Sequence, residues 1–169
     1  MTNDLRKPIR SSTSNRPSWT QTWISVANVV ALRSQCSKAQ VGCVVVDEDQ
    51  QVLAASYNGP PPGSSYAGPC SGWCKRAITG ESTPDYSNCP SSHAEINAIA
   101  RMPKTTKETT IYVNRMCCFS CAKAIAAAGI NHVVYQITDI DGHIATNDIT
   151  EFLENEAHID ITGYIDATA

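Results

Sequence analysis

Two short stretches, each standing where a run of good helix formers begins, do most to limit what this chain can fold into. One is His93-Ala94-Glu95 and the other is Cys118-Phe119-Ser120-Cys121. Two thiolates three residues apart on a first helical turn point the same way, and the positive end of the helix favours their charge. Such a pair suits tetrahedral zinc, and one histidine brings the protein ligands to three with a position left for water. An open position separates a catalytic zinc from a structural one. Glu95, two residues past His93, falls beside such an ion rather than on it, where a carboxylate can take a proton and hand it on. Taken alone, a C-x-x-C also fits a structural zinc site or a redox pair, and an H-x-E also fits an ordinary helix start. Together, with a strand between them, they require a fold that brings two helix starts face to face. A thioredoxin-like use of Cys118 and Cys121 would leave His93-Ala94-Glu95 without a role.

The rest of the chain supplies the frame. Apolar residues at helical spacing from Trp19 to Ser34 predict an amphipathic helix. Val41–Asp47 and Gln51–Tyr57 read as a hairpin turning on Asp47-Glu48-Asp49-Gln50. A Gly/Pro/Ser/Cys-rich stretch follows, at about 58–92. Insertions of that length in a compact domain are functional or tied down. Beyond it the order is helix (His93–Arg101), strand (Thr110–Asn114), helix (Cys118–Ala128), strand (His132–Gln136), helix (Thr146–Ala157, capped by Thr146 or Asn147) and strand (Ile159–Tyr164). Gly129 stands where a left-handed residue would end the second of these helices. Strands followed by alternating helix and strand predict an α/β fold, a three-layer α/β/α sandwich on a central mixed sheet of about five strands. Residues 1–17 read as a flexible arm without a secretory h-region, and residues 18–169 as one domain.

Composition narrows the partners. No apolar run is long enough to span a membrane, and a net charge of −3 argues against a polynucleotide partner, which wants a basic surface. Eight cysteines in a chain without a signal peptide favour metal ligation or free thiols over disulfides, with a cytoplasmic location. Cys43, on a strand, is expected in the core. His132, His143 and His158 have no partner pattern and default to core or surface roles.

The order H-x-E then C-x-x-C is the signature of zinc deaminases of nucleobases. More specifically, Arg33-Ser34 with Val41-Gly42, Tyr57-Asn58-Gly59, Cys89 four before His93, HAEINAIA, TIYV, CFSCAKAIAAAGI and VVY resemble the deoxycytidylate (dCMP) deaminases of the cytidine/deoxycytidylate deaminase superfamily. The resemblance runs from about Trp19 to Tyr135. Free-nucleoside cytidine deaminases typically carry Cys where His93 stands, and tRNA adenosine deaminases do not usually carry the Y-N-G loop or the cysteine-rich insertion.

That resemblance implies hydrolysis of dCMP to dUMP and ammonia for thymidylate synthesis, with one zinc on His93, Cys118 and Cys121 and proton transfer by Glu95. The backbone at Ala94 would hold the pyrimidine edge, Asn58 a sugar or phosphate group, and Tyr135 would line the pocket, with Arg33 and Lys38 as further phosphate candidates. It also implies activation by dCTP, inhibition by dTTP, and a homo-oligomer such as a hexamer. Some relatives hold a second, structural zinc, and Cys36, Cys70, Cys74 and Cys89 stand in comparable places. One departure matters: the residue before the first zinc cysteine is normally Pro, and here it is Cys117, a rival to Cys118. Other readings are a deaminase of dCTP, of 5-substituted dCMP or of tRNA adenosine, and a zinc-stabilised binding protein on the same fold.

Overall fold

A computed structural model describes residues 16–80, 89–138 and 146–165, so most of the expected arm, part of the insertion and His143 lie outside the described residues. Helix α1 spans Trp19–Ala31 and opens with a capping box in which Ser18 and Gln21 each satisfy the other's backbone amide. It stops three residues short of Ser34, because Leu32, Arg33 and Ser34 turn away through amide bonds to Val29, Val30 and Ala31. Strands β1 (Gly42–Asp47) and β2 (Val52–Tyr57) form the expected hairpin. The Asp47 carboxylate fixes its turn by accepting the amides of Asp49 and Gln51 at 3.0 and 2.9 Å.

Within the insertion the chain is more ordered than a plain loop. A 3-10 turn at Cys70–Gly72 leads into a short helix, α2 (Lys75–Thr79), that ends on left-handed Gly80. The Cys70 amide donates to the Gln35 carbonyl, and Gly59 pairs with Ser92, so both ends of the segment are fastened. Helix α3 (Ala94–Ile99), strand β3 (Thr109–Val113), helix α4 (Phe119–Ala127) and strand β4 (His132–Gln136) follow in the expected order. Gly129 takes φ 74°, the left-handed stop predicted after α4. Helix α5 (Thr146–Glu151) already contains both residues expected to cap it, and it widens into a π-helical turn at Phe152–Glu156 before strand β5 (Asp160–Tyr164).

The five strands lie in the order β2-β1-β3-β4-β5, antiparallel on either side of β1 and parallel from β3 to β5. All six residues of β1 are buried, which explains its unbroken apolar sequence: it is covered on both faces. On one face Val44, Val46 and Tyr112 pack against Ile24 and Ala27 of α1. On the other, Cys43, Val45, Ile111, Val113 and Val133 meet Ala94 and Ala98 of α3, Ala122 and Ile125 of α4, and Leu153. These are the three layers expected, with Cys43 in the core. The close approach of α1 to β1 depends on Gly42, since a Cβ there would stand 2.1 Å from the Ala27 carbonyl oxygen. Among the described residues no helix is long and apolar enough to cross a membrane.

Candidate metal centre and active site

The chemistry collects where α3 and α4 begin. His93 and Cys118 are the N-cap residues of these helices, both with extended backbone, and Cys121 lies one turn into α4. Strand β3 delivers Cys118 to this end of the sheet. The bridge between Gly59 and Ser92 places the insertion's return next to His93. As a result His93 Nδ1 lies 3.4 Å from Cys118 Sγ and 3.3 Å from Cys121 Sγ.

The donor set fits zinc. Zn–N and Zn–S bonds of roughly 2.05 and 2.3 Å at a tetrahedral angle put nitrogen and sulfur about 3.6 Å apart. The spacings found are close to that value. Among the described residues this is the one group of three metal-binding side chains whose donor atoms all lie within 4.8 Å of one another. Cys118, and not its neighbour Cys117, faces the histidine. Cys117 is turned into the core at 1% exposure, and burial, then Glu95 and Cys118, push its thiol well above the ordinary range. The Cys121 thiol beside it and the His93 ring pull Cys118 down to about 3 against the effect of burial. Cys121 shifts up, because it shares its proton with the Cys118 thiolate and is buried. Zinc binds cysteine as the thiolate, so loading this site would release the proton that Cys121 holds.

Glu95 is the buried acid of this group, at 3% exposure on the first turn of α3. Burial pushes its carboxyl above the usual carboxylate range, against the pull of its own backbone amide and of His93. Burial therefore favours the protonated form relative to an exposed carboxylate. His93 moves up as well, chiefly through its hydrogen bond with Cys118.

His93, Glu95 and Cys118 line the floor of a cavity of about 250 Å³ whose walls include Asn58, Cys36, Cys70, Cys74, Cys89 and Met116. A wider depression of about 400 Å³ lies over β3–β5, lined by residues such as Thr110, Tyr112, Val134 and Thr162. Its one histidine, His132, pairs with Asp160 at 3.3 Å. No metal-binding trio lines it among the described residues, so the metal chemistry belongs to the smaller cavity.

A family model described as the cytidine and deoxycytidylate deaminase zinc-binding region matches residues 17–137. The chain belongs to this deaminase family. Among its relatives is a deoxycytidylate deaminase of Mycobacterium phage D29, 37% identical over 126 residues that cover 72% of this chain and 96% of the phage protein. Another is the deoxycytidylate deaminase of Schizosaccharomyces pombe, 33% identical over 147 residues, or 85% of this chain. The match spans only 44% of that yeast protein. Identity to the human deoxycytidylate deaminase is 33% over 118 residues, which cover 69% of this chain and 64% of the human one. In architecture, the dCMP deaminase of cyanophage S-TIM5 superposes with a TM-score of 0.64 over 89% of this deaminase and all of the phage chain, at 22% identity. That likeness is one of fold.

The other expected residues are placed unevenly. Ala94 is fully buried at the cavity floor. Asn58 is on the wall, but its amide joins two loops: Oδ1 accepts the Val41 amide at 2.8 Å and Nδ2 donates to the Ala39 carbonyl at 3.0 Å. Tyr135 is not on the wall; its ring packs against the core, with its hydroxyl oxygen near Gly163 on β5. Arg33 is exposed beyond the end of α1 and off the wall, whereas Lys38 is on it.

Cys36, Cys70, Cys74 and Cys89 share one wall as a row of adjoining thiols, but no three of their sulfurs all lie within 4.8 Å of one another. Burial opposes ionisation of Cys70, but the Ser37 hydroxyl and amide, with the thiols of Cys36 and Cys74, outweigh it and lower its pKa. Cys89 is raised by burial and by its neighbour Cys74. Sequence reasoning missed Arg76 and Arg115, which also line the cavity. For Arg115 a signal existed: it lies between the carboxyl end of a strand and the C-x-x-C, where α/β folds gather their ligand-binding groups.

Proposed function

We propose that this deaminase hydrolyses dCMP to dUMP and ammonia in the 250 Å³ cavity, with His93, Cys118 and Cys121 holding zinc and Glu95 moving protons. The observation behind the proposal is a buried Glu95 with a raised pKa beside a His/Cys/Cys set, in a chain 37% identical over 126 residues to a phage deoxycytidylate deaminase. When bound, zinc supplies a water acidic enough to serve as nucleophile near neutral pH. Glu95 takes the proton of the attacking water and passes it to ring N3 of the cytosine. It then takes the proton of the new C4 hydroxyl and delivers it to the amino group as the C4–N bond breaks. The water oxygen remains as the C4 carbonyl and the nitrogen leaves as ammonia, so atoms and charge balance. A carboxyl raised above its usual range serves both directions of this transfer, because general acid–base catalysis works best when the pKa approaches the working pH. Ala94 contributes backbone at the pyrimidine edge, and Asn58 fixes the two loops beside the sugar.

The same proposal includes a second zinc on Cys36, Cys70, Cys74 and Cys89, supported by their shared wall and adjoining thiols. Loading it would draw the adjoining thiols together and pin the insertion. Two zincs per chain, falling to one in Cys70→Ala or Cys89→Ala, support this; one zinc throughout ends it. Activation by dCTP, inhibition by dTTP, and assembly into a hexamer rest on the resemblance alone. Effector titrations of the rate and sedimentation of the purified chain test them. The substrate is tested by ammonia release from dCMP, dCTP, deoxycytidine and a tRNA anticodon arm, with Glu95→Ala as control. Turnover confined to RNA, or turnover that survives Glu95→Ala, overturns the proposal.

A further inference from the structure

The Y-N-G turn is held from two sides. On the side of the α1–β1 connection, the Asn58 amide donates to the Val41 carbonyl at 3.0 Å and the Asn58 carbonyl accepts the Ser34 hydroxyl at 2.9 Å, in addition to the side-chain bonds to Val41 and Ala39. On the other side stands Asn97 of α3, half-buried and not among the residues that line the cavity. Its Nδ2 donates to the Tyr57 carbonyl at 3.0 Å and to the Gly59 carbonyl at 3.4 Å, the residues on either side of Asn58. We propose that Asn97 is a positioning residue: it sets the distance between Asn58 on the cavity wall and the floor at His93 and Glu95, and through that distance the affinity for substrate. The inference rests on the reading of this cavity as the place where a cytosine nucleotide binds with Asn58 beside its sugar.

The contact closes a ring. The Gly59 carbonyl that Asn97 reaches also accepts the Ser92 amide at 3.0 Å, and the Gly59 amide donates back to the Ser92 carbonyl at 3.1 Å. Ser92 precedes the metal-binding His93, whose carbonyl accepts the Asn97 amide at 3.0 Å across the first turn of α3. Gly59, Ser92, His93 and Asn97 thus fix one another, and the turn cannot slide along the helix without breaking one of these bonds. Helix α3 has an anchor of its own, because Ala94 and Ala98 are fully buried against the sheet. Loss of the Asn97 amide therefore releases the wall and leaves the floor in place.

The residue type matters, because two carbonyl oxygens converge on one position. A primary amide offers two N–H donors on a single nitrogen, whereas a carboxylate offers none and would face both oxygens with negative charge. A second tie between the same elements serves a different place: the Arg101 guanidinium, just past α3, donates to the Ser56 hydroxyl at 3.3 Å, outside the ring. A contact with a part of the substrate that does not react acts on the ground state and the transition state alike, so its loss raises KM and spares kcat. Misplacing such a contact by about 1 Å can cost up to about 10²-fold, and the remaining bonds of Asn58 hold the displacement below that.

The test uses the zinc-loaded enzyme and the variants Asn97→Ala, Asn97→Asp and Asn97→Gln, with Arg101→Gln as control. The readouts are KM and kcat for dCMP per zinc-loaded molecule, and hydrogen exchange at the Gly59 and Ser92 amides. Asn97→Ala is expected to raise KM about tenfold with kcat within about threefold, and to speed exchange at both amides by about tenfold or more. Asn97→Asp should raise KM further, whereas Asn97→Gln, which keeps the donors on a longer arm, should recover part of the loss. Arg101→Gln should stay within about twofold of the parent in every readout. Where the alanine variant folds poorly, the other two decide, and equal KM values for aspartate and glutamine overturn the proposal. A lower Tm with KM within about twofold of the parent makes Asn97 a stabilising residue only and overturns the positioning role, as does a fall in kcat larger than the rise in KM; both leave the deaminase reading intact. Absence of turnover by the parent on any cytosine compound would sink the deaminase reading. Amide exchange in Asn97→Ala then decides the tether, and unchanged rates at Gly59 and Ser92 overturn it.

Discussion

Replacing Gly42 by alanine should loosen the α1 layer while leaving the metal centre in working order. An added Cβ would stand 2.1 Å from the Ala27 carbonyl oxygen and 2.6 Å from the Ala31 amide nitrogen, both backbone atoms of α1. Real Cβ contacts of this kind are not found under 3.0 Å, so the helix backbone must retreat by at least 0.9 Å. No rotamer change can relieve this, because neither clashing atom belongs to a side chain. The retreat opens the layer in which Ile24 and Ala27 cover Val44, Val46 and Tyr112. Overpacking of a tight core costs about 1–3 kcal/mol, and a backbone-on-backbone clash belongs at the upper end, near 3 kcal/mol. For a domain of this size that corresponds to a fall in Tm of about 6–12 °C. The metal-binding trio lies on the opposite face of the sheet, so zinc content and kcat per folded molecule should stay within about twofold. Thermal unfolding followed by circular dichroism, together with zinc analysis, gives both readouts. A Tm within 2 °C of the parent would refute the packing argument.

Glu95→Gln keeps the shape of the buried side chain and removes its proton transfer, so kcat should fall by about 10²–10⁴-fold with zinc retained. Zinc analysis on two neighbouring variants distinguishes the thiols: Cys118→Ser should lose the catalytic ion, while Cys117→Ala should keep it. Asp47 gives a pH prediction. Backbone bonds from Gln51, then Lys107 and the Asp49 amide, hold its carboxyl below the usual range despite some burial. A folded pKa below the unfolded value of about 3.9 contributes stability above that pH, and the contribution is lost as pH falls through the folded value. Asp47→Asn should therefore lower the urea midpoint at pH 7, with the gap to the parent shrinking below pH 4. A gap that is equal at pH 7 and pH 3 would count against the electrostatic part of the argument.

Much of this molecule is legible in its sequence because the signals are local. Strand β1 announces itself by an unbroken VGCVVVD, and the metal trio by residue types that have few other reasons to stand at two helix starts. Gly129 ends α4 where a left-handed residue is needed. Helix ends are less legible, since Arg33 and Ser34 continue a helical pattern that turn bonds interrupt. The π-helical turn after Glu151 likewise has no periodic signature. The residues of the cavity wall are hardest to read. Asn58 reads as a substrate contact in the Y-N-G turn, and from the cavity wall its amide also joins two loops. Arg76 lies in a segment with no periodicity, and only the fold shows that this segment reaches the cavity.

The fastening of the insertion at Gln35 and at the Gly59–Ser92 bridge has a consequence for how such a protein can change over time. The cavity floor belongs to two helices rooted in the sheet, whereas much of the wall belongs to a cysteine-rich loop attached at a few backbone bonds. Mutations that reshape the wall need not disturb the ligands below, and drift in the core need not reach the wall. A lineage built this way can exchange one base-bearing substrate for another while its bond-breaking apparatus stays as it was.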